Sequence, residues 1–422
     1  MEDIAIVAVL IAIGVLASEW MARHSVSLPI IFLLGGWILG QHVLSFVDLS
    51  LETEVVKELT ELTLALLLFA DASTLRRRRV QQEAGIEGRL LSIGLLLTIA
   101  LGGLLAFVFF PDDDLGIVLL IGAALAPTDA ALGLPIFTNR NIPVRIRQSL
   151  NVESGLNDGI VTPFVTLFIA LAVSEVPTSE GGWLADAASE LLLGVTVGVV
   201  VGVVGGWLIR AALSRNYTSP EMAQIAFFSL SIAAFFGSRE LDGNGFIAAF
   251  VAGLFCGTML KHSTTEAAEF TETAGTGASL FVWAVFGASL VPLALDEALS
   301  WQVVVFAILA LTVMRMIPVA IAMIGTGFRR DTIAIMGWFG PRGLASVVFL
   351  VTAIVALEEG GLPLTLIGAM TWTIGLSVIL HGISAGPLAR WYGARIEKAS
   401  DEIPERATAT TGVEPQPVLR QD

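Results

Sequence analysis

Cysteine is almost absent. Cys256 stands alone, so no internal disulfide can form and no cysteine-based metal site is available. Histidine is scarce too: His24, His42, His262 and His381 are scattered near the ends of apolar stretches and read as interfacial side chains. No His-x-x-x-His or Ser/Lys arrangement, and no Ser/His pair read as nucleophile and base, lies within the apolar stretches, which argues against an intramembrane enzyme, and no ATP-binding signature is present. Charge is the third scarcity. Charged residues make up 14% of the chain, against about 25% in soluble domains, and a net charge of −15 gives no footprint for nucleic acid.

What fills the chain instead is hydrophobic: 55% of its 422 residues, with a mean hydropathy of +0.81. A spanning helix needs about 20 mostly apolar residues, and many such runs occur, too long and continuous for barrel strands. Thirteen helical spans are expected, near 4–20, 28–47, 55–74, 89–110, 115–137, 146–173, 189–212, 221–238, 244–260, 277–295, 301–326, 332–357 and 363–386. The opening "MEDIAIVAV" leads with negative charge, unlike a cleavable signal, and is read as a retained span.

Lys and Arg gather on cytoplasmic loops. Here they cluster on alternate loops, among them Arg76 to Arg79, Arg140 with Arg145 and Arg147, and Arg329 with Arg330. The opposite loops hold Lys57 and Arg239 against acidic groups such as Asp112 to Asp114. The expectation is a multi-pass protein of the cell (inner) membrane with its first residue outside and its last inside. Residues 1–395 form the transporter domain in this reading, and 396–422, polar and Pro-bearing, a disordered cytoplasmic tail.

Ionisable groups within spans are costly and point to function. They are Asp71, Asp129, Glu153, Asp158, Arg315 and Arg342. In span five, "LLIGAALAPTDAALGLPIF", Pro127 removes an amide donor and disfavours helix at Ala126, while Thr128 and Asp129 compete for backbone hydrogen bonds. Two readings stand, a helix break that frees carbonyls for a cation or a plain proline kink. In span twelve, Gly340, Pro341 and Gly343 interrupt the run around Arg342. If span seven, near 189–212, links repeats near 1–174 and 221–390, the interrupted spans correspond and the halves have opposite orientation, as in inverted-repeat transporters.

The stretch "NVESGLNDG", residues 151–159, heads span six. Residues four apart share a helix face, so Ser154 and Asp158 lie together, and Glu153 with Asn157 about 100° away. Asp158 with the Ser154 hydroxyl makes an oxygen site for a hard cation. Glu153 is free to pair with an arginine, for which Arg342 is the expected partner. Asp158, without a fixed cation, can then accept a proton. The competing reading places both carboxylates in a static ion-pair network. Asp71 is taken as a structural polar contact, and Arg315 as support for packing or water contacts.

"LALLLFADAS", "APTDAALGLPIFTN", "RIRQSLNVESGLNDG" and "GPRGLAS", in this order, resemble the monovalent cation:proton antiporters, in the electroneutral NhaP-type branch. The resemblance covers roughly residues 1–395. It implies an all-α membrane fold of two inverted six-helix repeats with crossing discontinuous helices, assembled as a homodimer in membrane lipid. It implies Asp158 as cation and proton carrier, with Asn157 its neighbour. Ser154 and the Thr128 carbonyl would be further cation ligands, Glu153 would pair with Arg342, and Asp129 would offset partial charges where the helices cross. Asn157, where electrogenic relatives carry an aspartate, implies exchange of one cation for one proton. The cation is expected to be Na⁺, with K⁺ or Li⁺ as alternatives, and no cofactor is expected. A K⁺/H⁺ antiporter is the next reading and a cation channel the one after it. Many members have proline directly after the Thr-Asp pair, whereas here Pro127 precedes it and Ala130 follows.

Overall fold

The computed structural model describes residues 2–23, 27–46, 54–79, 85–133, 136, 139–174, 182–260, 263–357, 361–399 and 403–406. It is all-helical, with 83% helix and no strand among the described residues. Helices stand on each of the thirteen expected stretches, and seven are long and apolar enough to cross a bilayer unaided.

In chain order they are α1 (Glu2–Leu16), α2 (Ser18–Arg23), α3 (Leu28–Leu39) and α4 (Glu54–Arg79). Next come α5 (Ile86–Phe109), α6 (Leu115–Ala124), α7 (Val144–Ser174) and α8 (Trp183–Ser214). The remainder are α9 (Pro220–Arg239), α10 (Gly245–Leu260), α11 (Thr264–Asp296), α12 (Trp301–Ala322), α13 (Arg330–Trp338), α14 (Leu344–Ala356) and α15 (Leu364–Glu397). Local chemistry sets their ends. The Ser219 hydroxyl accepts from the Met222 amide at the head of α9, with Pro220 in the first turn, and Ser300 accepts from Val303 at the head of α12.

Small residues let helices approach where lipid gives no hydrophobic drive between them. Gly194, Gly198, Gly202 and Gly206, spaced by four along α8, face α10, and a Cβ at Gly202 would stand 2.5 Å from the Ala252 carbonyl oxygen. A polar tie joins three helices at one end of this contact. Asn244 Nδ2 donates to Glu190 Oε1 of α8 at 3.0 Å and to Thr166 Oγ1 of α7 at 2.8 Å.

Two spans are broken. Helix α6 stops at Ala124, and past the break the described residues form a 3₁₀ turn, Ala131–Gly133, with Ile136 helical. Helices α13 and α14 are separated by residues 339–343. The breaks meet: the Asp129 amide donates to the Pro341 carbonyl at 2.8 Å, and Ser346 Oγ donates to the Ala124 carbonyl at 2.6 Å.

Within the expected tail, α15 runs on to Glu397 and a second ordered piece follows. Pro404–Arg406 forms a 3₁₀ turn whose Glu405 is buried and accepts, through Oε1, from the Arg329 amide at 2.8 Å and from Thr332 Oγ1 at 2.7 Å. The first amides of α13 lack intrahelical partners, and a carboxylate from the tail fills that need. Residues 407–422 lie outside the described residues. Of the histidines, His24 and His262 also lie outside them, and His42 is exposed beside Asp296 at 3.5 Å. His381 is a correction: it is fully buried rather than interfacial, because α15 carries it behind the break between α13 and α14.

Candidate functional site

The first break leaves a run of carbonyls without helical donors, and side chains from three elements claim them. Arg342 Nη1 donates to the Ala126 carbonyl at 2.8 Å and the Pro127 carbonyl at 3.2 Å. Ser154 Oγ of α7 donates to the Thr128 carbonyl at 2.5 Å. Thr128 also presents its hydroxyl, which accepts from Asn157 Nδ2 at 2.7 Å and lies 3.3 Å from Ser154 Oγ. Thr128, Ser154 and Asn157 thus form one buried polar knot between the first break and α7.

Asp129 sits at the crossing itself. Its Oδ2 accepts from the Leu344 amide at 3.1 Å, the first amide of α14, and its Oδ1 accepts from the Ala131 amide at 2.8 Å. A carboxylate there complements the positive end of a helix dipole. Gly343 is required by this contact, since a Cβ at that position would overlap the Asp129 side chain.

Asp158 stands one turn along α7 from Ser154, on the same face. Its Oδ1 is buried and has no hydrogen-bond partner. The charges acting on it are those of Asp129 and Asp71, both negative. Among the described residues no cationic side chain neutralises Asp158.

The expected Glu153–Arg342 pair is not formed. Glu153 pairs with Arg315 of α12: Nη1 reaches Oε1 at 2.5 Å and Nη2 reaches Oε2 at 2.7 Å, and each side chain is 1% exposed. Both oxygens are engaged, and the carboxylate charge is matched by Arg315. Arg342 Nη1 lies instead on the carbonyls of the first break, and Glu153 acts on it through space without a hydrogen bond. Arg315, expected to support packing or water contacts, is instead the partner of Glu153. A clue lay in Gly340, where a Cβ would overlap the Arg315 guanidinium: an interruption glycine can mark a side chain arriving from elsewhere. A Cβ at Gly155 would lie 3.6 Å from the Asp71 carboxyl, which places Asp71 against the helix that carries Asp158.

This architecture has known counterparts. The sodium proton antiporter MjNhaP1 from Methanocaldococcus jannaschii superposes with a TM-score of 0.74, at 21% identity, over 92% of this chain and 99% of that one. The K(+)/H(+) antiporter NhaP of Alkalimonas amylolytica is 23% identical over 402 residues, 94% of this chain and 68% of its own length. The Na(+)/H(+) antiporter ApNhaP of Aphanothece halophytica is 23% identical over 331 residues, 75% of this chain and 61% of its own. The family model described as "Sodium/hydrogen exchanger, transmembrane" matches residues 5–391. With that match running nearly end to end over an all-helical chain whose two broken helices cross, the protein belongs to the transmembrane sodium/hydrogen exchanger family.

Proposed function

We propose that this protein exchanges a monovalent cation for a proton, one for one, by competition at Asp158. The observation that carries the reading is the Asp158 carboxylate: one oxygen buried without a hydrogen-bond partner, negative neighbours, and no fixed counter-cation. An ionised carboxylate in that setting is costly, and either a proton or a metal ion relieves the cost. Both cannot do so at once, which makes the exchange obligatory.

The cation's ligands are Asp158, the Ser154 hydroxyl and the Thr128 carbonyl. The Thr128 carbonyl accepts one hydrogen bond from Ser154 and keeps a second lone pair, and the hydroxyl oxygen keeps its own. Asn157 braces this set through Thr128 and titrates nothing, which supports a single proton per cycle. Glu153, being paired, takes no part in binding the ion. Asp71 is added as a third acidic group bordering the path.

Movement between the two sides follows from the crossed breaks, which rock with the core and expose Asp158 alternately. The halves are read as inverted repeats near 1–174 and 221–390, linked by α8. The protein sits in the cell membrane, first residue outside and last inside, as the arginine distribution supports, and works as a homodimer on the strength of its resemblance to NhaP-type antiporters. Na⁺ is the favoured ion; K⁺ is the second reading, favoured by relatives named for it.

The test is proton-gradient dissipation in liposomes on addition of Na⁺, K⁺ or Li⁺, with and without a potential-clamping ionophore. The parent collapses the gradient with a saturable cation dependence that the ionophore does not alter, and Asp158→Asn is inert. Exchange by Asp158→Asn at the parental rate would refute the assignment, and strong acceleration by the ionophore would refute the one-for-one ratio.

A further inference from the structure

Helix α15 passes behind the break between α13 and α14 and presents Ser377 and His381, four residues apart and both fully buried. The His381 Nε2 lies 2.9 Å from the Trp338 carbonyl oxygen, at the end of α13. A carbonyl only accepts, so Nε2 carries a hydrogen. Ser377 Oγ accepts the Arg342 amide at 2.7 Å and lies 3.1 Å from His381 Nδ1. In a neutral ring protonated at Nε2, Nδ1 accepts the Ser377 hydroxyl hydrogen, which leaves that oxygen to accept from Arg342. The Trp338 carbonyl, the ring, the Ser377 hydroxyl and the Arg342 amide then each have a donor or acceptor role.

Nδ1 also lies 2.9 Å from the Ser377 carbonyl, a contact that a doubly protonated ring would use. The charged groups facing the ring are Arg342 and Arg315, and two guanidinium groups oppose a third positive charge. We take the neutral ring protonated at Nε2, which leaves Nδ1 facing the Ser377 carbonyl with no hydrogen between them, as the form that the experiment decides. Aromatic neighbours hold its plane, the Trp338 ring centroid lying 4.9 Å away, and Trp338 is itself tied to α15 through Nε1 and Ser384 Oγ at 2.9 Å.

The chain therefore grips both lips of the break, the Trp338 carbonyl on one side and the Arg342 amide on the other. Arg342 in turn reaches the carbonyls of Ala126 and Pro127, immediately before Thr128. We propose that His381 is a positioning residue for cation exchange: with Ser377 it sets the width of the break and hence how Arg342 holds the strand that ends in the Thr128 carbonyl. The proposal rests on the exchange reading above, but the hydrogen-bond chain can be observed without transport.

The first arm is nitrogen NMR of the full chain labelled at histidine. The chain has four histidines, and the His381 signal is the one lost in His381→Gln. A neutral ring protonated at Nε2, whose Nδ1 resonance shifts in Ser377→Ala, is the expected result. A ring protonated at Nδ1, or at both nitrogens, overturns the proposal even if every variant proves hard to handle.

The second arm measures liposome exchange with whichever of Na⁺ and K⁺ the parent transports. Ser377→Ala and His381→Leu each raise the apparent KM for the cation about tenfold, the effect typical of losing a group that orients a ligand. The pair together is no worse than the poorer single variant, because both cut the same chain. His381→Gln, which keeps a donor for the Trp338 carbonyl, recovers most of the loss. Parental KM in both single variants, with only a lowered melting temperature, overturns the proposal, as do effects that multiply in the double variant. A parent that exchanges nothing refutes the function instead, and the histidine spectrum still decides the chain.

Discussion

Arg315 and Glu153, 162 positions apart in sequence, join α12 to α7 through two parallel hydrogen bonds in a pair hidden from solvent. Losing one partner strands a buried charge, which costs about 3–5 kcal/mol. Arg315→Ala and Glu153→Ala are therefore each expected to lower the melting temperature in detergent sharply. The double variant removes both charges and is expected to melt above either single variant. Single variants that melt with the parent would show that the pair contributes nothing to stability.

The crossing point is expected to tolerate no added atom. Gly343→Ala sets a methyl group against Asp129, and crowding of this kind costs about 1–3 kcal/mol. The stability loss is expected together with loss of exchange, since Asp129 also holds the first amide of α14. Full activity in Gly343→Ala liposomes would show that the crossing can shift without consequence.

The breaks were legible because backbone chemistry is local: Pro127, Gly340 and Pro341 each forbid or weaken a helix at their own position. The pairing of Ser154 with Asp158 on one face followed from helical spacing alone. Partner choice was not legible. Two interior arginines competed for Glu153, and Arg342, sitting in an interruption, looked the better placed. Its guanidinium went to the Ala126 and Pro127 carbonyls, which lack helical donors because the chain beyond them is not helical, a demand that only the meeting of the two breaks creates. His381 was misjudged for a related reason: its position near a span end says nothing of the helix that covers it. Glu405 sits in a polar, Pro-bearing stretch, and nothing in such a stretch announces a carboxylate that will cap a helix over seventy residues earlier in the chain.

That cap is itself testable. Glu405→Ala removes the acceptor for the Arg329 amide and the Thr332 hydroxyl, and leaving buried donors unpaired costs about 1–3 kcal/mol. Hydrogen exchange at the first turn of α13 is expected to speed up while amides in α8 keep their protection. Unchanged protection at residues 329–332 would show that the tail contact carries no load.

Asp331, just ahead of the twelfth span, links stability to pH. The Arg329 guanidinium beside it, at 3.0 and 2.8 Å, together with the Thr332 amide, holds its carboxyl below the usual range. A group whose folded value is depressed stabilises above its unfolded value, near 3.9, and that stability is lost as pH falls through the folded value. Asp331→Asn is expected to be less stable than the parent by about 0.5–1 kcal/mol at pH 7. The gap should close as the solution is acidified below about pH 4. A gap that stays constant down to pH 3 would mean that the charge is not its source.

Packing along α8 offers a separate check on the scaffold. Gly198→Leu would force the side chain against the Ala248 carbonyl and Val251, which now lie 2.7 and 2.8 Å from where a Cβ would stand. Separation of α8 from α10, read as easier proteolysis between them, is the expected outcome. Parental resistance to the protease would mean that the two helices can re-register.

The Arg342 guanidinium on the Ala126 and Pro127 carbonyls has a consequence for occupancy. Those two oxygens already host a positive charge, one that is covalently tethered and never departs. Under the proposed exchange, a visiting cation is repelled from that end of the row by the resident charge and steered toward Thr128. In that reading a tethered charge, rather than a second ion, keeps those two oxygens company through the whole cycle.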